Sequence, residues 1–402
     1  MSLPSDRMSP EERRAGASLA AIFALRMLGL FLILPVFSVY AKTLPGGDNL
    51  ALVGFALGAY GLTQAVFQIP YGIASDLYGR KRVIVIGLVI FAIGSFVAAW
   101  APSMNWIIVG RVLQGAGAIS AAVTALAADL TREEHRTKVM AMIGSSIGLV
   151  FALSLVGAPL LYGLIGMGGL FSMTGVLALA AIVLLIKAVP PAPPPHGHAK
   201  LPLRQVVLDP DLMRLNIGIF LLHMVQMAMF VVVPHALVDH GGLQAASHWQ
   251  VYLPAVLVSF AVMVPAIIAA ERKDKMRPIF LAAIGLLVIV QSGLLIFSDS
   301  LWSLALWLTL FFVAFNVLEA TLPSLVSRTA HPAAKGAALG VYNTTQALGL
   351  FIGGALGGYI AQNFGDNAVF AACTGLMLVW LVVANSMNFP QRRVTPTATQ
   401  SA

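Results

Sequence analysis

Gly72-Ile-Ala-Ser-Asp76-Leu-Tyr-Gly79-Arg80-Lys81-Arg82 lies between two long apolar runs, residues 51–71 and 83–100. A turn this short and basic has no place in hydrocarbon, so the runs flanking it must emerge on the same side of a membrane. Its excess of Arg and Lys predicts that this side is the cytoplasm.

Composition agrees with that start. Of 402 residues, 59% are hydrophobic and only 10% charged, and the mean hydropathy is +0.88, beyond what a water-soluble core requires. The net charge of +8 sits in short clusters between apolar runs, where the membrane rule accounts for it and nucleic-acid binding is not needed. The single Cys373, in an apolar run, excludes a disulfide framework and a cysteine-based metal site. His196 and His198 lie in a proline-rich stretch with too few fixed ligands for a metal. No GxxxxGK[ST] phosphate loop, nucleophile triad or metal cluster occurs, so neither an enzyme nor direct drive by ATP is expected.

Apolar windows of about 20 residues recur at 17–40, 51–74, 83–100, 105–128, 139–162, 169–189, 214–239, 248–270, 277–297, 301–326, 335–362 and 367–389. The fold class expected is an all-α membrane protein of twelve transmembrane helices in two six-helix bundles. Residues 1–16 form a cytoplasmic N-terminal segment, 17–189 the first bundle, 190–213 a cytoplasmic linker rich in proline, 214–389 the second bundle and 390–402 a cytoplasmic tail. The charges test this topology: 21 of the 24 Lys and Arg residues fall on the side expected to be cytoplasmic, Lys42 alone falls opposite, and Arg26 and Arg111 lie within spans. The two bundles look like repeats. Pro70, Asp76, Arg80 and Arg82 recur as Pro265, Glu271, Lys275 and Arg277, and Phe31 and Pro35 as Phe230 and Pro234. A pseudo-two-fold repeat of this kind places a substrate site near the bilayer midplane, between the halves.

Twelve spans, a central linker and the stretch Gly72, Asp76, Gly79, Arg80, Lys81 and Arg82 together resemble the major facilitator superfamily of secondary transporters. Leu77 departs from the basic residue many members have there. Arg111, Gln114, Gly115 and Gly117 in span four resemble the motif of proton-driven members, and the first three share a helical face. Gly148, Gly157 and Pro159 resemble the antiporter motif of span five, weakened because Ala158 separates a usually adjacent Gly and Pro. Leu28-Gly29-Leu30-Phe31 to Pro35, the segment 132–138, and Phe315-Asn316-Val-Leu-Glu319 resemble the YajR-like group of bacterial inner-membrane proteins, which are assigned to drug efflux. Some of that group carry a small soluble C-terminal domain; this chain, ending soon after its last span, is expected to have none.

A charge at the bilayer centre costs about 2.5–3.5 kcal/mol on insertion scales, so one retained there needs partners or a watery cavity. Glu319, His223 and Arg26 lie at similar depths and are expected to meet in one central cavity, with Glu319 as first proton carrier, His223 as second, and Arg26 tuning either or holding an anionic substrate. Permanent ion pairing of Glu319 and simple packing of His223 are the structural alternatives. Asp129 ends span four beside Asp76, Arg80 and Arg82, a conformational gate expected to latch the halves together. Tyr342, Asn343 and Gln346 share one side of span eleven and, with Met227 among the methionines near it, are candidate cavity lining.

The reading is a proton-coupled antiporter exporting small hydrophobic or drug-like compounds by alternating access. Its partners are substrate, protons and the bilayer, its energy source is the proton gradient and its place is the bacterial inner membrane. A proton symporter or facilitator importing a metabolite is the alternative of the same fold, and a non-transporting sensor that of another class. The sequence carries no signal of oligomeric state.

Overall fold

The structure, a computed structural model, describes residues 8–190, 203–272, 275–331, 334–387 and 389, excluding the side chains of residues 133, 134, 137, 141, 203, 271 and 272. Most of the proline-rich linker with His196 and His198, the extreme N-terminus, Asp274, the Glu271 side chain and the tail from 390 lie outside the described residues.

The first half contains α1 (Pro10–Phe31), α2 (Leu34–Ala41), α3 (Leu50–Tyr78), α4 (Arg80–Ala99), α5 (Met104–Ala116), α6 (Ser120–Asp129) and α7 (Glu133–Ala188). The short α8 (Leu203–Val207) precedes a second half of α9 (Pro210–Asp239), α10 (Trp249–Arg272), α11 (Met276–Ile296), α12 (Leu301–Thr329), α13 (Lys335–Phe364) and α14 (Asp366–Asn385). Ten stretches among the described residues are long and apolar enough to cross a bilayer, with α1–α2 and α5–α6 each counted as one broken span. One of the ten, Lys138–Ala188, has 51 residues, roughly 75 Å at the helical rise and so about twice a bilayer. It breaks at Gly166, whose φ of 65° is non-helical. The twelfth span is α13, which is too poor in large apolar residues to register because it carries seven glycines.

Local chemistry sets the ends. Ser9 caps α1, its hydroxyl accepting from Glu12 N at 3.1 Å while Glu12 Oε2 accepts from Ser9 N at 2.8 Å, and Pro10 opens the helix. The helix therefore begins seven residues before the apolar window. Asp209 caps α9 through the amides of Asp211 and Leu212. At Gly79 the chain turns from α3 to α4 with φ 94°, a backbone that a side chain would strain.

The two halves meet on the face opposite the basic turns. There α3 and α13 cross at backbone distance: a Cβ added to Gly54 would lie 2.1 Å from Gly354 O, one on Gly58 2.6 Å from Phe351 O, and one on Gly61 2.4 Å from Ala347 O. Leu50 N donates to Gln362 Oε1 at 2.7 Å beside this crossing. Buried His235 bonds Ser38 O through Nε2 at 2.7 Å, again across the halves. Lys42 pairs with Asp239 at 3.5 Å, although a pair this exposed contributes less than about 1 kcal/mol.

On the basic face the described bonds stay within a half. Lys81 Nζ donates to Val189 O, Arg14 to Lys187 O, and Arg277 to Asn385 O. Glu12 accepts from Arg132 Nε at 3.0 Å. A Cβ added at Gly144 or Gly148 of α7, or at Gly336 or Gly340 of α13, would meet open space. The molecule is thus closed on one face, while the bonds named on the basic face do not join the halves.

Gly58→Leu should prevent this closure. Overpacking costs about 1–3 kcal/mol, enough to move the population toward the state opened on the other face. Spin labels on Asp48→Cys and Asn363→Cys, both at exposed positions near that crossing, should show a longer distance in the variant. An unchanged distance distribution would mean the crossing does not set the state.

Candidate functional site

Three cations crowd the start of α4, whose first turn holds no acid, an unfavourable match to the positive end of a helix dipole. The compensation comes from neighbours. Arg80, 13% exposed, pairs with Asp76 one turn back and through Nε with Asp129 Oδ2 at 2.9 Å, while its Nη1 also donates to Ser75 Oγ. This cluster joins α3, α4 and α6. The described bonds therefore lie inside the first half in this open-faced state, where the sequence predicts a latch between halves. The packing of α3 on α6 does not require a glycine at Gly72, since an added Cβ would meet only Ala121 Cβ, at an ordinary 3.6 Å. Arg82 and Leu77 are exposed.

Span four is architectural. Arg111, 1% exposed, donates to Ala56 O, Leu57 O and Gln114 Oε1, and Gln114 passes a hydrogen bond to Ser95 Oγ at 2.9 Å. The guanidinium also sits over the Tyr60 ring, 5.0 Å from its centroid. Gly115 and Gly117 let α5 approach the backbones of α3 and α4: a Cβ at Gly115 would meet Tyr60 O at 2.1 Å, and one at Gly117 would meet Gly87 O at 2.4 Å.

Arg26 is not where the sequence reading puts it. Instead of meeting Glu319 and His223, it turns into the first half, donating to Ser120 Oγ at 3.2 Å with the Tyr60 and Phe91 rings each 5.7 Å away. The reason lies in helix rotation: equal depth brings residues together only when both faces point into the same space, and α1 presents Arg26 to α3, α4 and α6.

Glu319 and His223 do come together, joined by Gln346. His223 Nδ1 lies 3.3 Å from Ile219 O, the carbonyl one turn back, and therefore carries the proton in the neutral ring. Its Nε2 then accepts from the Gln346 amide at 2.7 Å. The same amide nitrogen reaches Glu319 Oε1 at 3.5 Å, while Glu319 Oε2 lies 3.7 Å from His223 Nε2. The Gln346 amide can keep both bonds whether Glu319 is ionised or carries a proton on Oε2, because Oε1 accepts in either case, whereas turning the amide over would set its oxygen against Oε1, acceptor against acceptor. The trio thus holds one hydrogen-bond arrangement through a change of one proton. The Glu319 side chain is 31% exposed and that of His223 7%, so the acid is the member that solvent reaches.

Tyr342, one turn before Gln346, is buried, and Asn343 is half-buried beside it. Met227 is 2% exposed and belongs to the packed core of the second half. In α7, Pro159 interrupts nothing, and a Cβ at Gly148 or Gly157 would touch nothing within 4 Å. Sequence reasoning missed Gly54, Gly58, Gly354 and Gly358, although glycines spaced three or four apart on two spans are a signal for close helix crossing. It also missed the Ser9–Glu12 capping box, legible as Ser-Pro-Glu-Glu.

Two packed halves closed on one face, with Glu319, His223 and Gln346 together at mid-depth, are the architecture of a membrane transporter. The profile of the Major Facilitator Superfamily matches residues 19–354 and 277–401; the chain belongs to that superfamily and is a multi-pass membrane transporter, not an enzyme. It is 47% identical over 389 residues to the inner membrane transport protein YajR of Escherichia coli K12, covering 96% of this chain and 85% of that protein. The multidrug resistance protein MdtH of Aeromonas hydrophila is 26% identical over 360 residues, 87% of each chain. Among solved structures, a bacterial homologue of the human lysosomal transporter Spinster superposes with a TM-score of 0.78 at 13% identity, covering 94% of this chain and 97% of that one. This likeness shows a shared fold.

Two substitutions should separate scaffold from site. Arg111→Ala leaves two carbonyls and Gln114 short of a donor in the core, at about 1–3 kcal/mol for each unsatisfied group, so the thermal midpoint should fall steeply. Gln346→Ala, at a partly exposed position, should melt near wild type yet transport poorly. Thermal unfolding in detergent beside transport in vesicles tests both; equal destabilisation would make Gln346 a packing residue.

Proposed function

We propose that this protein is a proton-coupled antiporter exporting small hydrophobic or drug-like compounds across the bacterial inner membrane, with both termini in the cytoplasm. The observation that carries the reading is the Glu319–His223–Gln346 trio, in which a partly exposed carboxyl shares neutral partners and has no Lys or Arg among its described ion pairs. Such a group can take a proton while the outer face is open and release it to the cytoplasm in the state described here. The proton gradient supplies the energy, and neither ATP nor nucleic acid takes part.

The path is rocking of the two halves about the trio. The α3–α13 crossing closes the outer side in one state, and the Asp76–Arg80–Asp129 cluster holds the basic side in the other. The inner-membrane placement is supported by the name of the YajR relative and by the charge bias of the turns. Efflux of drug-like compounds is supported by the name of the MdtH relative. Apolar, aromatic surroundings of the trio suit such compounds, since Phe315 lies edge-on to the His223 ring and Phe311 stacks on Phe315.

In inside-out vesicles, an acid-interior proton gradient should drive drug accumulation by the wild type as protons leave the lumen, and Glu319→Gln should abolish it while leaving the fold intact. Accumulation at the wild-type rate in Glu319→Gln would rule out this carrier. Asp76→Asn should weaken the state closed on the basic side, cutting transport while substrate binding, followed by fluorescence quenching, persists. Wild-type transport in that variant would leave the charged turn as a topology signal alone.

A further inference from the structure

A layer of rings lies between the trio and the closed face. Phe315 is four residues before Glu319 on α12, one helical turn nearer that face, and its ring centroid is 5.7 Å from that of His223. Phe311 stacks on Phe315 at 5.7 Å, and Phe312 sits edge-on to Phe311. These rings belong to the second half. The first half answers with Phe151 of α7, whose ring is 6.2 Å from Phe312 and 5.7 Å from Phe315, backed by Phe31 at 5.1 Å. Phe151, Phe312 and Phe315 are 7%, 1% and 3% exposed, whereas the Glu319 side chain, one turn further in, is 31% exposed. Accessible surface therefore reaches the Glu319 side chain, whose Oε2 is itself buried, and stops at the aromatic layer beyond it.

That layer is built from both halves, and Phe151 is the ring that crosses the seam onto Phe312 and Phe315. When the halves rock, α7 carries Phe151 away from α12 and the layer parts; when they return, it closes. Apolar constrictions of this kind block ions and protons by excluding water. Phe31 ends α1 just before the joint at Leu32–Ile33.

We propose that Phe151 is the gate residue of proton coupling: packed on Phe312 and Phe315, it keeps the Glu319–His223 pair from being open to both sides at once. The proposal rests on Glu319 as the proton carrier. Purified protein in liposomes with a trapped pH dye, a clamped membrane potential, an imposed proton gradient and no substrate gives the test. Wild type should be tight. Phe151→Ala should admit protons about tenfold faster or more, Phe151→Leu should stay near wild type because apolar bulk is kept, and Phe151→Ala combined with Glu319→Gln should be tight again. Phe312→Ala, which opens the same layer from the other half, carries the test if Phe151→Ala fails to fold. Tight membranes with folded Phe151→Ala, or a leak that survives Glu319→Gln, would overturn the gate. Because the leak is read without substrate, failure of the gate is distinguishable from failure of the antiport reading, which shows instead as wild-type exchange by Glu319→Gln.

Discussion

The crossing of α3 and α13 is made by backbone on backbone, at Gly54, Gly58, Gly354 and Gly358. Inside a bilayer there is no hydrophobic gain in bringing helices together, because lipid is as apolar as leucine. Contact has to come from close complementarity, and glycine provides the closest. This one contact decides which face of the molecule is shut. It therefore decides which side can reach Glu319, and the hydrogen bond from His235 to Ser38 O and the Lys42–Asp239 pair only reinforce it.

Buried charge is handled differently in the two halves. Arg111 has its donors spread over two backbone carbonyls and Gln114, and Arg26 is flanked by rings and a serine. Both are part of the scaffold that holds α1, α3, α4 and α5 together. Glu319 has only neutral or switchable partners, Gln346 and His223, and one side of it is open. Changing its protonation leaves those hydrogen bonds and the helix packing in place. A coupling group needs that separation, since a charge that also holds the fold cannot be neutralised once per cycle.

The repeat visible in the sequence is therefore not a repeat of function. Pro35 stands at the start of α2 after a break in the span, whereas its counterpart Pro234 lies inside the continuous α9. The basic turn at 79–82 is braced by two aspartates in the first half, while the second half carries the titratable trio. Under the proposed function, divergence of this kind lets one half serve as gate and scaffold and the other carry the proton site.

Span number, the two halves and the bias of cations to one face were legible in the chain, because twenty apolar residues and a Lys or Arg at their end obey the bilayer whatever the neighbours do. So was the shared depth of Glu319 and His223, since depth is residue count times helical rise. The apolar window 335–362 was legible too, but not that its glycines make α13 the close partner of α3. What only the tertiary structure decided is azimuth and distance. Arg26 shares the depth of Glu319 yet points into its own half, and Phe151 meets Phe312 and Phe315 from more than 150 positions away. Sequence spacing carries the height of a side chain in the membrane. The direction it faces is settled by how each helix turns to bury its glycines and rings against the others.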